Sequence, residues 1–268
     1  MNRISPWQKI GLGLVLLLAL LNLVPTVWMI LLAATRVDAG RGALRLDGAA
    51  FHRLFTELPV WRWAINSLCV SVAVTAGNLL FCSMAGYAFA KKRAPGLQAL
   101  FWLCLATMMV PAQVTVIPLF LMVAGLGLSN TYVALIAPTL ATAFGVFMMR
   151  QFISTLPTSL FEAARLDGCN EWQTFTHIVL PLVRPAVAVL GVFVFTSSWN
   201  DFLWPLVICN RRDMWTLPVG LASLKNEFNV DVPLMMAGAT FAALPMIALF
   251  FALQRHFVSG LTVGAVKG

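Results

Sequence analysis

The chain has 268 residues, of which 60% are hydrophobic and 10% are charged. Soluble domains carry about 25% charged residues, so this composition excludes an ordinary soluble protein and predicts an integral membrane protein. The length has room for about six membrane-spanning helices of roughly 20 residues each, without a sizeable soluble domain. The formal net charge is +8, but the basic residues are scattered among loops and form no continuous stripe, which argues against nucleic acid as a partner.

Six apolar runs, bounded by charged residues or by Gly and Pro, predict the transmembrane helices. They cover residues 11–34, 64–90, 99–123, 131–149, 186–209 and 234–253. The first run exceeds the apolar core of a signal peptide, roughly 7–15 residues, and therefore counts as a span. Prolines within these runs are expected to kink helices rather than end them, namely Pro25, Pro111, Pro118, Pro138 and Pro245. The expected fold is all-α, a single polytopic membrane domain over residues 1–268.

The short loops predict the orientation of the spans. Lys91, Lys92 and Arg93 follow the second span, whereas the loop at 125–130 carries no charge. Positively charged loops stay in the cytoplasm, so the second span ends there, and an even number of spans places both termini there as well. The predicted first outer loop, 36–62, also contains several basic residues, which this rule does not expect on the outside. The opposite orientation of the spans therefore stays open.

One polar stretch, residues 162–181, interrupts the apolar sequence within the predicted cytoplasmic loop at 150–185. Gly168 breaks its helical pattern, as a residue of positive φ does at a helix end, so two short helices are predicted. The first helix has a first-turn proline, Pro157, and a possible capping box of Ser159 with Glu162. The second helix has a possible capping box of Asn170 with Gln173.

Each predicted helix of the polar stretch has an apolar stripe at helical spacing. The stripes are Leu160, Ala163 and Ala164 in the first helix, and Trp172, Phe175, Thr176 and Val179 in the second. Periodicity marks a face without naming what covers it. Packing on the same chain and docking of another protein therefore stay open as alternatives.

The search for catalytic and metal-binding motifs is negative. No lysine is followed by Ser or Thr, so the P-loop that cradles nucleotide phosphates is missing from the sequence. No His is followed by Glu, and no Gly-x-Ser-x-Gly elbow occurs. The five cysteines have no paired short spacing, and the three histidines are too dispersed for a ligand cluster. We expect no catalytic residue, no metal and no bound cofactor in this chain.

Asp201 is an acid inside a predicted span, next to Asn200 and flanked by Trp199 and Trp204. A charge at membrane depth costs at least ~2.5 kcal/mol, so such a residue usually faces a cavity or a partner. Two interpretations stay open: Asp201 lines a translocation pathway, or it reaches the outer interface beside a belt of the two tryptophans. Gln113 is a weaker pathway candidate, and a hydrogen bond between helices is its alternative.

Several of these residues also carry a resemblance to a known family. The arrangement Glu162-Ala163-Ala164, three residues, Gly168, nine residues, Ile178, one residue, Leu180-Pro181 resembles the cytoplasmic EAA loop of the membrane subunits of bacterial ABC importers. The stretch from Trp199 to Pro205 and the ending at 254–268 resemble the carbohydrate-uptake permeases of that family and are similar to the second permease subunit of the maltose transporter. The resemblance covers essentially the whole chain.

The resemblance implies a permease subunit of an ATP-driven, binding-protein-dependent importer of sugars or related polyols, in the bacterial inner membrane. It implies a second permease, and two ABC ATPases that bind ATP and Mg and dock on the EAA loop. An extracytoplasmic solute-binding protein would contact the outer loop near residues 210–233. The particular sugar is not implied. A self-contained secondary transporter or channel is the alternative, which leaves the EAA-like loop unexplained.

Overall fold

The computed structural model describes residues 6–37, 44–226 and 229–263, and these residues are predominantly helical, as predicted. The α-helices are α1 (Pro6–Ala33), α2 (Ala49–Thr56), α3 (Val60–Lys91), α4 (Leu97–Ala106), α5 (Ala112–Gly125), α6 (Tyr132–Ile136), α7 (Ala143–Ser154), α8 (Thr158–Leu166), α9 (Glu171–Gln173), α10 (Leu180–Leu182), α11 (Arg184–Trp199), α12 (Leu203–Ile208), α13 (Leu217–Ala222) and α14 (Val232–Val263). Two short antiparallel hairpins pair β1 (Thr35–Val37) with β2 (Leu44–Leu46) and β3 (Lys225–Asn226) with β4 (Asn229–Val230).

The apolar helices give three unbroken and three bent candidates for membrane spans. The unbroken ones are Gly11–Ala33, Val60–Lys91 and Val232–Ala252. The bent ones are Leu97–Met109 with Ala112–Gly125, Tyr132–Thr139 with Ala143–Ser154, and Glu171–Leu182 with Arg184–Trp199. If each bent pair is one span, the number reaches the six that the sequence predicts.

The span predicted at 99–123 is broken in the structure rather than kinked. A 3-10 turn at Thr107–Met109 ends the first half, and the second half begins after Pro111 at an angle of 103°. Val110 is extended, with φ −88° and ψ 119°, because the ring of a proline clashes with a helical residue before it. Pro111 therefore ends a helix, contrary to expectation, whereas Pro25, Pro118 and Pro245 lie inside helices as expected.

Two further predicted spans differ from the structure in continuity. The one at 131–149 bends by 43° after a 3-10 turn that contains Pro138, and its second half continues to Ser154. The one at 186–209 ends at Trp199, and Asn200–Phe202 separate α11 from α12. Asn200 and Asp201 consequently lie at a helix break and not within a continuous helix.

The chain divides into two compact units, residues 1–61 with 220–244 and residues 62–219 with 245–268. In the larger unit, α3 and α7 approach each other closely at Gly86. A Cβ atom added there would lie 2.7 Å from Cβ of Met149 and 2.8 Å from the backbone nitrogen of Arg150. Small residues permit such close approach of helices in membrane proteins.

The smaller unit contains elements in the stretch 36–62 that the sequence predicts as a loop. Helix α2 lies there, and its Arg53 pairs with Asp231 at 2.5 Å. Phe55, Trp61 and Phe241 form an aromatic cluster with ring centroids 5.2–5.3 Å apart. These contacts tie α2 and the start of α3 to α14 within the unit.

Candidate functional site

The polar stretch forms two short helices, as predicted, but the first begins differently from the prediction. Helix α8 starts at Thr158, and Pro157 occupies the position before it without a side-chain capping bond. Ser159 is therefore already inside the first turn and cannot cap the helix. The predicted capping box of Ser159 and Glu162 is wrong for this reason.

The end of α8 confirms the predicted role of Gly168 in the backbone. Gly168 has φ +76°, the left-handed conformation that glycine adopts most easily. Its N–H donates to the carbonyl of Arg165 at 3.1 Å, and the N–H of Cys169 donates to the carbonyl of Ala164 at 2.9 Å. These two bonds form a Schellman motif, which satisfies carbonyls at the helix end.

The second helix begins with the predicted capping box and then widens. Asn170 Oδ1 accepts from the N–H of Gln173, and Gln173 Oε1 accepts from the N–H of Asn170, both at 2.8 Å. A π-helical segment follows at Thr174–Val179 and leads to Pro181. Proline lacks an N–H and crowds the preceding turn of an α-helix, and a wider turn before it relieves that crowding. After α10 the chain turns by 81° into α11.

The two predicted stripes are each divided between the core and the surface. In α8, Ala164 is buried beside Phe161, whereas Leu160 and Ala163 are exposed. In the second helix, Phe175 and Val179 are buried, Thr176 is half-buried and Trp172 is exposed. Packing on the same chain thus accounts for one face of each helix, and none of the described residues covers the other face.

The uncovered faces carry large apolar side chains. Leu166 is 89% exposed and Trp172 is 56% exposed. Glu162 and Gly168 are exposed as well, and the remaining motif positions at the second helix are half-buried. These half-buried residues are Ile178, Leu180 and Pro181.

One ion pair and two hydrogen bonds, which the sequence did not predict, tie the end of α3 to the second short helix and to the segment just before α8. Lys92 forms an ion pair with Glu171, and the hydroxyl of Tyr87 donates to the same carboxylate at 2.8 Å. Lys91 Nζ donates to the carbonyl of Leu156 at 2.6 Å, just before α8. Two features of the sequence could have indicated this pairing: the acidic Glu171 directly after the Asn170 cap, and the basic segment at 91–93 at the end of the second predicted span.

A second site is a cavity of about 380 Å³ within the larger unit. Asp201 lines it, at the break after α11. Asn200 and Gln113 do not line it: both are exposed, and Nδ2 of Asn200 donates to the carbonyl of Thr196 at 2.9 Å. Of the three predicted pathway residues, the structure therefore brings only Asp201 to the cavity.

The two tryptophans beside Asp201 do not form an interfacial belt. Trp199 is 3% exposed and Trp204 is 7% exposed. Nε1 of Trp204 donates to the carbonyl of Ala134 at 2.9 Å, which satisfies its buried N–H. The interpretation of both rings as a belt at the membrane surface is wrong, because they pack inside the protein.

The loop after α12 is fastened to the first turns of α3. Asn66 Nδ2 donates to the carbonyls of Asp213 and Trp215, each at 2.8 Å. The Arg211 guanidinium hydrogen-bonds the carboxylate of Asp213 and lowers its pKa from the ordinary value. The loop is thereby held in place and brings Thr216 to the cavity wall.

Residues 77–263 match the family described as binding-protein-dependent transport system inner membrane component. An arabinooligosaccharide transport permease of Halalkalibacterium halodurans is 41% identical over 226 residues, which cover 84% of this chain and 80% of that protein. A lactose transport permease of Rhizobium radiobacter is 35% identical over 257 residues, 94% and 93% of the two chains. An sn-glycerol-3-phosphate transport permease of Rhizobium meliloti is 32% identical over 222 residues, 82% and 76% of the two chains.

The fold also matches a solved structure. A chain of a bacterial ABC transporter involved in the import of the acidic polysaccharide alginate superposes with a TM-score of 0.84 at 23% identity, covering 96% of this chain and 100% of that one. At this identity the likeness concerns the fold. It agrees with the predicted all-α membrane architecture. The chain belongs to the family of binding-protein-dependent transport system inner membrane components, the permease subunits of ABC importers.

Proposed function

We propose that this permease subunit serves an importer of sugars or related polyols. The support is the set of relatives, whose names refer to arabinooligosaccharides, lactose and sn-glycerol 3-phosphate. All three substrates are rich in hydroxyl groups. The polar residues of the cavity fit the hydroxyl groups of such molecules, because hydroxyl and amide side chains both donate and accept hydrogen bonds.

The observation that carries the proposed mechanism is the two-helix element, which packs one face on the protein and leaves Leu166 and Trp172 exposed. Exposed apolar side chains on a capped, rigid element are typical of a docking surface. The proposed occupant is one of two ABC ATPases, which would bind ATP and Mg. A separate ATPase is needed because the P-loop is missing from this sequence. Six of the seven EAA positions at 162–181 are exposed or half-buried and would contact the ATPase, and the buried Ala164 would hold the first helix against the protein.

Two helices connect the proposed dock to the cavity. Helix α3 is held to the dock by the pair of Lys92 with Glu171, and its residue Asn78 lines the cavity. Helix α11 leaves the dock after the 81° turn and ends directly before Asn200 and Asp201. Rigid-body movement of the dock would therefore reach the cavity from two directions, as in hinged domain motions.

The proposed assembly contains a second, different permease and an extracytoplasmic binding protein. The second permease would complete the pathway, with the exposed Asn200 and Gln113 on faces available to it. The binding protein would contact the outer loop near residues 210–233, of which 227 and 228 lie outside the described residues. The proposed location is the bacterial inner membrane, with both termini and the dock in the cytoplasm. Part of the C-terminal stretch that carries the resemblance, 264–268, lies outside the described residues.

The docking proposal is tested by placing a charge on the exposed apolar face. Leu166→Glu is expected to reduce copurification of the ATPase subunit at least ~10-fold, because burial of an unpaired carboxylate costs several kcal/mol. Leu46→Glu in β2 is the matched control, since Leu46 is comparably exposed but lies far along the chain from the dock. Equal copurification in both variants would remove the docking role. Uptake driven by an ion gradient in vesicles without any ATPase would favour the secondary-transporter alternative.

The ion pair between Lys92 and Glu171 is tested by a charge exchange. Glu171→Lys alone is expected to lower uptake per ATP hydrolysed by ~2- to 5-fold, a modest effect because half-exposed ion pairs are worth at most about 1 kcal/mol. The double variant Lys92→Glu with Glu171→Lys restores opposite charges and is expected to recover most of the loss. Proteoliposomes that contain the complete transporter provide the measurement. If the double variant is as impaired as the single one, the pair does not link α3 to the dock.

A further inference from the structure

We propose that this chain contributes a sugar subsite of its own, which holds one neutral, hydroxyl-rich ring in the cavity and disfavours anionic substrates. The inference rests on the proposed transport function and narrows its substrate class. The cavity lies within residues 62–219, between α3, α7, α11 and the loop that precedes α13. Its volume of about 380 Å³ is near the lower end of ligand pockets, about 300–1,000 Å³, and suits a single ring better than a long oligosaccharide.

The first observation is a buried hydroxyl that lacks a partner. Thr216 lines the cavity and is 4% exposed, and its Oγ1 has no hydrogen-bond partner among the described residues. A buried polar group left in this state costs about 1–3 kcal/mol, so it is normally paired. A hydroxyl group of a bound ligand would supply the missing hydrogen bond.

Other polar residues of the cavity lie on α3 and at the end of α11. On the α3 side the side chains are already engaged: Ser67 Oγ accepts from the N–H of Leu217 at 2.7 Å, and Asn78 Nδ2 donates to the carbonyl of Thr139 at 2.6 Å. At the end of α11, Ser198 and Asp201 also line the cavity. The engaged residues of α3 shape the cavity, and Ser198, Asp201 and Thr216 are the residues proposed to contact substrate hydroxyls.

An aromatic pair lines the same cavity. The rings of Phe144 and Phe193 lie 6.0 Å apart at an angle of 69°, and both are exposed. Ligand sites combine apolar and aromatic walls with a few polar groups that fix orientation. The C–H faces of a sugar ring fit the aromatic pair, while its hydroxyl groups fit Ser198, Asp201 and Thr216.

The charged residues that line the cavity determine whether neutral or anionic substrates are favoured. Asp201 is the one charged residue of this cavity within residues 62–219, and no Lys, Arg or His of that range lines it. A phosphate or carboxylate in the cavity would meet a like charge without a compensating cation, and this repulsion is strong where water is scarce. The neutral substrates named for the arabinooligosaccharide and lactose relatives therefore fit better than glycerol phosphate or an acidic polysaccharide.

The test measures occupancy directly in the assembled transporter. Ser198→Cys is introduced, and alkylation of position 198 is followed by mass spectrometry in proteoliposomes. Lactose and an arabinooligosaccharide serve as neutral probes, and sn-glycerol 3-phosphate serves as the anionic probe. We expect the better neutral probe to slow alkylation at least ~5-fold and the anionic probe to change it less than ~2-fold at equal concentration.

A matched pair of further variants addresses the unpartnered hydroxyl. Thr216→Val is expected to raise the neutral-sugar concentration for half-maximal protection by ~3- to 10-fold, the loss expected for one hydrogen bond. Ser83→Ala is the control, because the hydroxyl of Ser83 is also buried without a partner in the described chain but does not line the cavity. The control is expected to leave protection unchanged.

The outcomes separate the subsite from the transport function. Absence of protection by both neutral probes, equal protection by glycerol phosphate, or equal effects of Thr216→Val and Ser83→Ala would each overturn the subsite. ATP-driven uptake of the three probes by the unsubstituted complex is measured in parallel. Retained uptake with no protection contradicts the subsite alone, whereas absent uptake of all probes together with an ATPase that no substrate stimulates contradicts the proposed function.

Discussion

Gly168→Pro is expected to reduce ATP-driven uptake at least ~10-fold, whereas Gly168→Asn is expected to retain it within ~2-fold. Proline fixes φ near −65°, which is incompatible with the observed +76°, and it removes the N–H that bonds to the carbonyl of Arg165. The end of α8 and the start of the second helix would then separate. Asparagine tolerates the left-handed conformation, in which most side chains cost roughly 1–2 kcal/mol.

The comparison isolates backbone conformation from steric contact. A Cβ atom added at Gly168 meets no heavy atom of the described residues within 4 Å, so these residues leave space for the side chain of asparagine. The measurements are uptake and binding-protein-stimulated ATP hydrolysis in proteoliposomes, with copurification of the ATPase as the check on assembly. If asparagine impairs uptake as strongly as proline, contact of the bare glycine with the ATPase, and not its conformation, is the requirement.

Local backbone chemistry at the dock was predictable from the sequence. The positive φ of Gly168 and the capping box of Asn170 with Gln173 depend only on residues within one turn, and both are confirmed. The box predicted for Ser159 and Glu162 failed because Pro157 shifts the helix start by two residues. Short-range rules thus name the right elements, while competition between adjacent start signals decides the boundary.

Features that depend on distant contacts were not predictable in the same way. The apolar run at 99–123 contains enough hydrophobic residues for a span, and hydropathy is blind to the 103° break at Pro111. The pairing of Lys92 with Glu171 joins residues far apart in the sequence. Periodicity predicted the apolar stripes of the dock but not which of their residues are buried. The burial of Ala164 near Phe161 depends on the helices packed around them.

The close approach of α3 and α7 at Gly86 is another contact between residues distant in the sequence. Substitution of Gly86 is therefore expected to have a large effect. Gly86→Leu is expected to abolish recovery of the assembled transporter, and Gly86→Ala to lower its thermal stability, because overpacking costs about 1–3 kcal/mol even for small additions. The atoms in the way include the backbone nitrogen of Arg150, at 2.8 Å from an added Cβ, and backbone cannot rotate aside as a side chain can.

The control for Gly86 is Gly191→Ala in α11, where an added Cβ would have Leu79 as its nearest neighbour at 3.6 Å, an ordinary van der Waals distance. This variant is expected to assemble and transport normally. Assembly is measured by size-exclusion chromatography of the detergent-solubilised complex, and stability by its thermal unfolding. Equal losses at Gly86 and Gly191 would attribute the effect to the loss of any glycine. A loss confined to Gly86 would show that the close contact between α3 and α7 is the constraint. Because Tyr87 is the next residue, the same helix contact would also position the hydroxyl that donates to Glu171 at the dock.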